Sequence, residues 1–209
     1  MVDFYNCETK RFTEAKKKNT NLKINDFINT DATKISWSSS LIPKLGKGEE
    51  AIFEKDKINI ALYRPYFKQN LYRGDKMIHR RGQFEEFFPT PKTENLLICV
   101  SAHYKDGTVL MADQITDLHF NGDTQAFPLY YYEENKTIQK GLFDDVSSDS
   151  SSNYTRRDAV SDFILDRAKK QYGKNVTKED IFYYVYGFLH SKEYRETFAN
   201  DLKKMLPRL

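Results

Sequence analysis

The sequence predicts an α+β fold, in which a β-rich body with several loops is followed by a compact three-helix C-terminal tail. Between residues 52 and 132, short apolar or alternating segments are typical of strands, and glycine and proline residues separate them. After residue 155, apolar residues recur at helical spacing. At 209 residues, the chain can bury one sizeable core, or one domain with a small appendage.

The N-terminal segment, residues 1–36, is predicted to be a polar, partly helical connector. Phe4, Tyr5 and Phe12 supply apolar anchors, and a lysine- and asparagine-rich run at 16–21 interrupts the segment. The β-rich body is predicted to span residues 37–143. Its predicted strands are the alternating segment 58–63, the continuous apolar run 96–100, the segment 108–111 and the aromatic segment 127–132.

Residues 144–153, with the sequence DDVSSDSSSN, are predicted to form a mobile linker. They offer almost no large apolar side chain whose burial could offset the entropy lost on ordering. The helical tail is predicted to span residues 154–209, and its first helix covers residues 156–172 and ends at Gly173.

The two following helices are predicted to form a hairpin. Thr177 lies three residues before Asp180, which is the spacing of a capping box. The apolar face predicted behind this cap consists of Ile181, Tyr184, Val185, Phe188 and Leu189. Ser191 is the predicted cap of a third helix, which carries Tyr194, Phe198, Leu202 and Met205 on one face and ends at Pro207.

Composition excludes several classes of protein. No apolar run approaches the length of a membrane span, and the N-terminus lacks a signal-peptide pattern. Cys7 and Cys99 lack the spacing of a metal or redox motif, and idle thiols in a reducing compartment are the preferred interpretation. We therefore expect a cytoplasmic protein with no membrane partner.

The sequence also lacks the loops of several enzymes. The six prolines are never adjacent, so there is no Asn/Asp-Pro-Pro-aromatic loop of an amino-methyltransferase, and there is no P-loop. Residues 54–57 have the wrong spacing for a metal-dependent nuclease, and the four histidines lie far apart in the sequence. We predict a chain without catalysis, metal or cofactor of its own.

Basic residues suggest a DNA-binding surface. Residues 1–110 carry a net charge of +5 and residues 155–209 carry +4, whereas residues 111–154 carry −6. A basic cluster with interleaved aromatic residues follows Tyr63, and a polar loop lies between two predicted strands. Arginine can read guanine and lysine can neutralise phosphate, so the candidate DNA-binding residues are Lys68, Arg73, Lys76, Arg80 and Arg81 in the cluster and His103, Tyr104 and Lys105 in the loop. The alternative is a pair of ordinary charged loops, with Arg64 as a buried structural partner of a carbonyl or carboxylate group.

Three segments resemble the C-terminal specificity region of type ISP restriction–modification enzymes: LYRPY at residues 62–66, FPLY at 127–130, and IFYYVYGFLHSKEYRETF at 181–198. Enzymes of this type join nuclease, helicase-like translocase, adenine methyltransferase and target-recognition parts in one chain. The resemblance implies a non-catalytic target-recognition domain that binds a short duplex DNA sequence.

Two further questions stay open at this point. The chain is either a piece of a larger enzyme or a stand-alone specificity protein, and the connector-like segment after the first methionine favours a piece. In place of DNA recognition, the chain could be an interaction module that packs against the methyltransferase domain through its helical hairpin. A DNA reader should show a basic face, whereas a packing module should show a bare apolar patch.

Overall fold

A computed structural model describes residues 1–79, 82–101, 108–135 and 153–207. The chain divides into two compact units. Unit 1 consists of Met1–Asn59 and Leu71–Gly82, and unit 2 consists of Ile60–Asn70 and Gln83–Leu209. The predicted α+β class is confirmed, because helices and small sheets occur together and helices follow the last strand.

Unit 1 is a helical unit with its own apolar core. Helix α1 (Val2–Lys18) buries Tyr5 and Phe12, and the short helix α2 (Leu41–Gly46) buries Leu45. The Tyr5 hydroxyl donates a hydrogen bond to the carbonyl of Glu49, at 2.9 Å. Residues predicted to belong to a connector therefore share one core with residues beyond position 36. The predicted four-part division of the sequence stays a prediction.

The strands form two three-stranded sheets and one ribbon within the described residues. In the first sheet, β2 (Phe67–Tyr72), β1 (Ile58–Arg64) and β5 (Ile115–Thr116) lie in that order, and β1 and β5 are parallel. The second sheet is antiparallel, with β3 (Leu97–Ser101) between β4 (Val109–Ala112) and β6 (Thr124–Pro128). Strands β7 (Tyr130–Glu134) and β8 (Tyr154–Asp158) form the antiparallel ribbon.

One strand prediction and one helix prediction need correction. The aromatic segment 127–132 is divided between β6 and β7 at Leu129, which is 5% exposed and whose amide donates to the Leu96 carbonyl at 2.8 Å. Residues 156–158 were expected at the start of a helix, but they belong to β8. Pairing with β7 satisfies the backbone there, and the helix starts only after its cap, Ser161.

The tail contains helices α4 (Asp162–Tyr172), α5 (Lys178–His190), α6 (Lys192–Thr197) and α7 (Ala199–Leu202); a short helix, α3 (Phe84–Phe87), precedes the second sheet. The capping box at Thr177 and Asp180 is confirmed, and Ser191 caps α6 as predicted. The predicted third helix is wrong in two respects: it is interrupted at Phe198, which gives two short helices, and the second of these ends at Leu202 rather than at Pro207.

The core of unit 2 lies between the second sheet and α5. All five residues of β3 are buried, and Ile98 and Val100 belong to one cluster with Phe182 and Leu189. The buried face of α5 is therefore centred one residue away from the predicted face, and Tyr184, expected in the core, is 62% exposed. Packing against the sheet selects the Phe182–Leu189 stripe from a helix that is apolar on more than one side.

Polar contacts attach the β7–β8 ribbon to α5. The Tyr130 hydroxyl donates a short hydrogen bond to the Glu179 carboxylate, and this bond raises the pKa of Tyr130 to about 12. The guanidinium of Arg156 lies 4.3 Å from the centre of the Tyr130 ring. The Lys178 ammonium group lies 3.1 Å from Asp158 and 2.7 Å from Asp162. The contacts of Tyr130 with Glu179 and of Asp158 with Lys178 therefore join the ribbon to α5, whereas the Arg156–Tyr130 contact joins its two strands.

The predicted mobile linker, residues 144–153, lies outside the described residues except for its last position, Asn153.

We predict that Phe182→Ala lowers the free energy of unfolding by about 3–5 kcal/mol, because this ring is 5% exposed in the core. The matched control is Tyr184→Ala on the same helix, which should change stability by less than about 0.5 kcal/mol. Urea unfolding followed by circular dichroism measures both variants. Equal effects of the two variants would contradict the observed orientation of α5.

Candidate nucleic-acid interface

The structure describes three of the eight predicted DNA-binding residues. Lys68 belongs to unit 2, whereas Arg73 and Lys76 belong to unit 1. The other five, Arg80, Arg81, His103, Tyr104 and Lys105, lie outside the described residues.

In unit 1, the segment after β2 is held by hydrogen bonds to the protein. Arg73 is only 6% exposed, and its amide donates to the Lys57 carbonyl at 2.8 Å. The Lys76 ammonium group donates to the Glu50 carbonyl at 2.6 Å. A DNA contact requires an exposed guanidinium, so the burial of Arg73 favours a packing role over the expected one. Lys76 is half-buried and already has a backbone acceptor.

In unit 2, Lys68 lies on an exposed strand. The first four residues of β2, 67–70, are all exposed, and they present Lys68, Gln69 and Asn70 to solvent. Strand β2 is at the edge of its sheet, and β1 is its neighbour. A two-stranded ribbon of this kind fits the major groove of B-DNA. Lysine can contact phosphate or guanine there, and the two amide side chains have the donor and acceptor pair that adenine requires.

The turn that joins β1 to β2 consists of Pro65 and Tyr66. Tyr66 has a φ of 66°, in the left-handed region that is unfavourable for residues other than glycine. A proline followed by a residue with positive φ matches a type II turn, where glycine usually fills the second position. An L residue in this region costs about 1–2 kcal/mol. The Tyr66 side chain is 94% exposed, so no burial offsets this cost.

Arg64 anchors the end of β1, as the structural alternative predicted. Its guanidinium donates to the Tyr63 carbonyl at 2.6 Å and to the Asp117 carboxylate at 2.8 Å. It also lies 4.1 Å from the centre of the Tyr63 ring. The Asp117 amide donates to the Leu62 carbonyl at 2.9 Å, which extends the pairing of β1 with β5. The structural alternative expected a buried Arg64, but the Arg64 side chain is half exposed.

The sequence did not reveal several features of this hairpin. Gln69 and Asn70 were not singled out, because two polar residues after an aromatic motif carry no specific signal. Asp117 lies 53 residues from Arg64, and nothing in the sequence links the two. Tyr66 is one of the aromatic residues interleaved with the basic cluster, but its exposure follows only from its place at the turn.

Other chemistry is limited in the described part of the chain. No group of three or more His, Cys, Asp or Glu side chains there could hold a metal ion. Burial raises the pKa of the Cys99 thiol to about 12, which makes it a poor nucleophile. None of the helices among the described residues has the length and apolarity needed to cross a bilayer.

Comparison with protein families gives one match over the whole chain. The profile of the Type ISP C-terminal specificity domain matches residues 1–209. No curated protein sequence matches the chain.

Solved structures of larger enzymes contain a similar fold. The ATP-dependent Type ISP restriction–modification enzyme LlaBIII bound to DNA shares 26% sequence identity, with a TM-score of 0.74. A nuclease-deletion mutant of the Type ISP enzyme LlaGI, in complex with a DNA substrate mimic, shares 29% identity, with a TM-score of 0.71. The DrdV–DNA complex has a TM-score of 0.72 at 24% identity, and at that identity it shows the fold alone.

Each comparison covers 100% of this chain, which spans only 12%, 14% and 18% of the LlaBIII, LlaGI and DrdV chains respectively.

We predict that Tyr66→Gly leaves the free energy of unfolding unchanged or raises it by up to about 1 kcal/mol, because glycine tolerates the positive φ. Tyr66→Val should instead destabilise the chain, since a β-branched residue is unfavourable at this φ. Urea denaturation of the three proteins measures the difference. A Tyr66→Gly variant less stable than wild type would show that the tyrosine side chain stabilises the fold, and one less stable than the Val variant would contradict the cost of the positive φ.

Proposed function

We propose that this chain recognises a short duplex DNA sequence for a restriction–modification enzyme. The reason is that the chain belongs to the Type ISP C-terminal specificity domain family. The observation that carries this proposal is the family match over all 209 residues. It is supported by two similar enzymes, LlaBIII and LlaGI, whose structures were solved with DNA or a DNA substrate mimic. Members of this family are specificity domains and not catalytic domains. This agrees with the prediction that the chain itself is not an enzyme. Adenine methylation, translocation and cleavage belong in this proposal to other parts of the same polypeptide.

The exposed tip of the β1–β2 hairpin, with the start of β2, is the proposed reading element among the described residues of unit 2. It combines a cation, Lys68, with the amide side chains of Gln69 and Asn70 on one exposed edge strand. Positive charge supplies sequence-independent affinity for phosphate, and the amides supply base discrimination.

The other predicted contacts remain part of the proposal: Lys76, Arg80, Arg81, His103, Tyr104 and Lys105. Arg73 is assigned a packing role because of its burial. A cytoplasmic location stays a prediction.

The proposed function is tested by selection from a pool of random-sequence duplexes. The chain should retain duplexes that share one short sequence. It should bind the enriched duplex more tightly than a scrambled one at the same salt concentration, because specificity is a ratio of affinities. Enrichment of no common sequence, or equal affinity for both duplexes, would overturn target recognition.

We predict that Lys68→Gln reduces the slope of log affinity against log salt by roughly 0.9, the contribution of one phosphate contact. Lys192→Gln is the matched control, because its side chain is 87% exposed on α6, outside the hairpin. Fluorescence anisotropy with the enriched duplex measures both slopes. Equal slopes for wild type and Lys68→Gln would remove Lys68 from the interface.

A second role, packing against the methyltransferase domain, is supported by α4. This 11-residue helix has no buried residue. Phe163 is 66% exposed and Ile164 is 42% exposed, although both are large apolar side chains. The similar solved chains are several times longer, so such enzymes contain much more protein that could cover this helix. We propose the methyltransferase domain of the same polypeptide as the part that covers Phe163 and Ile164.

We predict that a Phe163→Ser/Ile164→Ser variant keeps its stability but loses affinity for the methyltransferase part supplied as a separate protein. Tyr172→Ser is the control. Tyr172 is 73% exposed and lies nine residues after Phe163, about 180° from Phe163 and about 80° from Ile164 around α4 at 3.6 residues per turn. Calorimetric titration compares the variants. Unchanged affinity of the double variant would exclude this face as the docking surface.

A further inference from the structure

We propose that Tyr66 inserts its ring into the base stack of the bound duplex. This inference rests on the proposed DNA-binding function and assigns a specific act to one residue of the hairpin. The ring would act as a wedge between neighbouring bases, and it would stack on one of them.

The first observation is the combination of strain and exposure at Tyr66. Its backbone lies in the left-handed region at a φ of 66°, and its side chain is 94% exposed. Glycine or asparagine would occupy this backbone conformation with less strain. A large aromatic residue held there, without burial in the fold, indicates selection for something outside the fold. Strained residues of this kind cluster at functional sites.

The second observation is the rigidity of the support beneath the turn. Arg64 binds the Asp117 carboxylate at 2.8 Å, and β1 pairs with β5 at Ala61 and Leu62. Pro65 directly precedes Tyr66, and its ring fixes its own φ angle. A ring on a preorganised turn loses little entropy on binding, so stacking energy is retained as affinity.

The third observation is the surroundings of the ring, which suit nucleic acid. Tyr63 and Phe67 are 43% and 55% exposed, and their rings lie 6.3 Å apart in an edge-on arrangement. Lys68 is exposed beside them on β2. Proteins that bend DNA from the minor groove insert exposed apolar side chains between bases. A ring that reaches the base stack from the major groove would separate neighbouring bases in the same way, while neighbouring cations hold the phosphates. A purely apolar partner surface would leave the Lys68 ammonium group without a counter-charge.

The experiment compares wild type with Tyr66→Phe, Tyr66→Gly and Tyr66→Asn, and Tyr172→Ala is the exposed-tyrosine control. The probe is the duplex enriched from the random pool by the wild-type chain, in which single adenines are replaced in turn by 2-aminopurine. Unstacking of this base raises its fluorescence. Circular dichroism establishes that each variant is folded.

Wild type and Tyr66→Phe are expected to bind with similar affinity and to raise the fluorescence at one position. Tyr66→Gly and Tyr66→Asn should bind roughly 5- to 150-fold more weakly, the range measured for loss of an aromatic–base stack. Their salt slope should equal that of wild type, because the ring carries no charge. Tyr172→Ala should behave as wild type.

Unchanged affinity of the Gly and Asn variants would overturn the insertion while leaving the proposed function intact. So would a wild-type complex in which no 2-aminopurine position becomes brighter. A wild-type chain that binds no duplex would overturn the proposed function itself, and this proposal with it. If Tyr66→Gly and Tyr66→Asn bind the separate methyltransferase part more weakly than wild type but bind the duplex equally well, Tyr66 is a protein contact and the insertion is overturned.

Discussion

Burial of β3 is the constraint on which the rest of unit 2 depends. Its five residues are all buried, and strands pair with both of its edges. One face carries Ile98 and Val100 into the cluster that α5 covers. The other carries Cys99, which is fully buried and whose carbonyl accepts a hydrogen bond at 3.0 Å from the Asn121 side chain, in the segment between β5 and β6. Because β5 pairs with β1, this segment joins the β1–β2 hairpin to the core, although the tip of the hairpin is exposed.

Local patterns predicted the elements whose signal lies within a few residues. The apolar run at 96–100 indicated β3, and the Thr177–Asp180 spacing indicated the start of α5. The errors occurred where distant contacts decide. Strand β8 needs a partner 20 to 28 residues away in β7, and no property of residues 154–158 alone distinguishes it from a helix start. The buried face of α5 differs from the predicted face, because Tyr184 has the expected helical spacing but is exposed.

The candidate interface was predicted only in part, for the same reason. Clustered positive charge is visible in the sequence, and Lys68 is indeed exposed. Burial of Arg73 depends on the packing of unit 1 and could not be predicted from its neighbours. Aromatic density is usually a sign of core, so Tyr66 was not expected to be the most exposed large apolar residue of the hairpin. Its backbone strain follows from a two-residue turn that begins with proline.

In the proposed complex, the tip of the β1–β2 hairpin contacts duplex DNA. This contact can be measured by hydrogen exchange of the 209-residue chain, followed at single amides with and without a saturating amount of the enriched duplex. Slower exchange is expected at the amides of Tyr66, Phe67 and Lys68 when the duplex is bound. Unchanged exchange at these three amides in a fully bound complex, with protection only elsewhere in the chain, would contradict it.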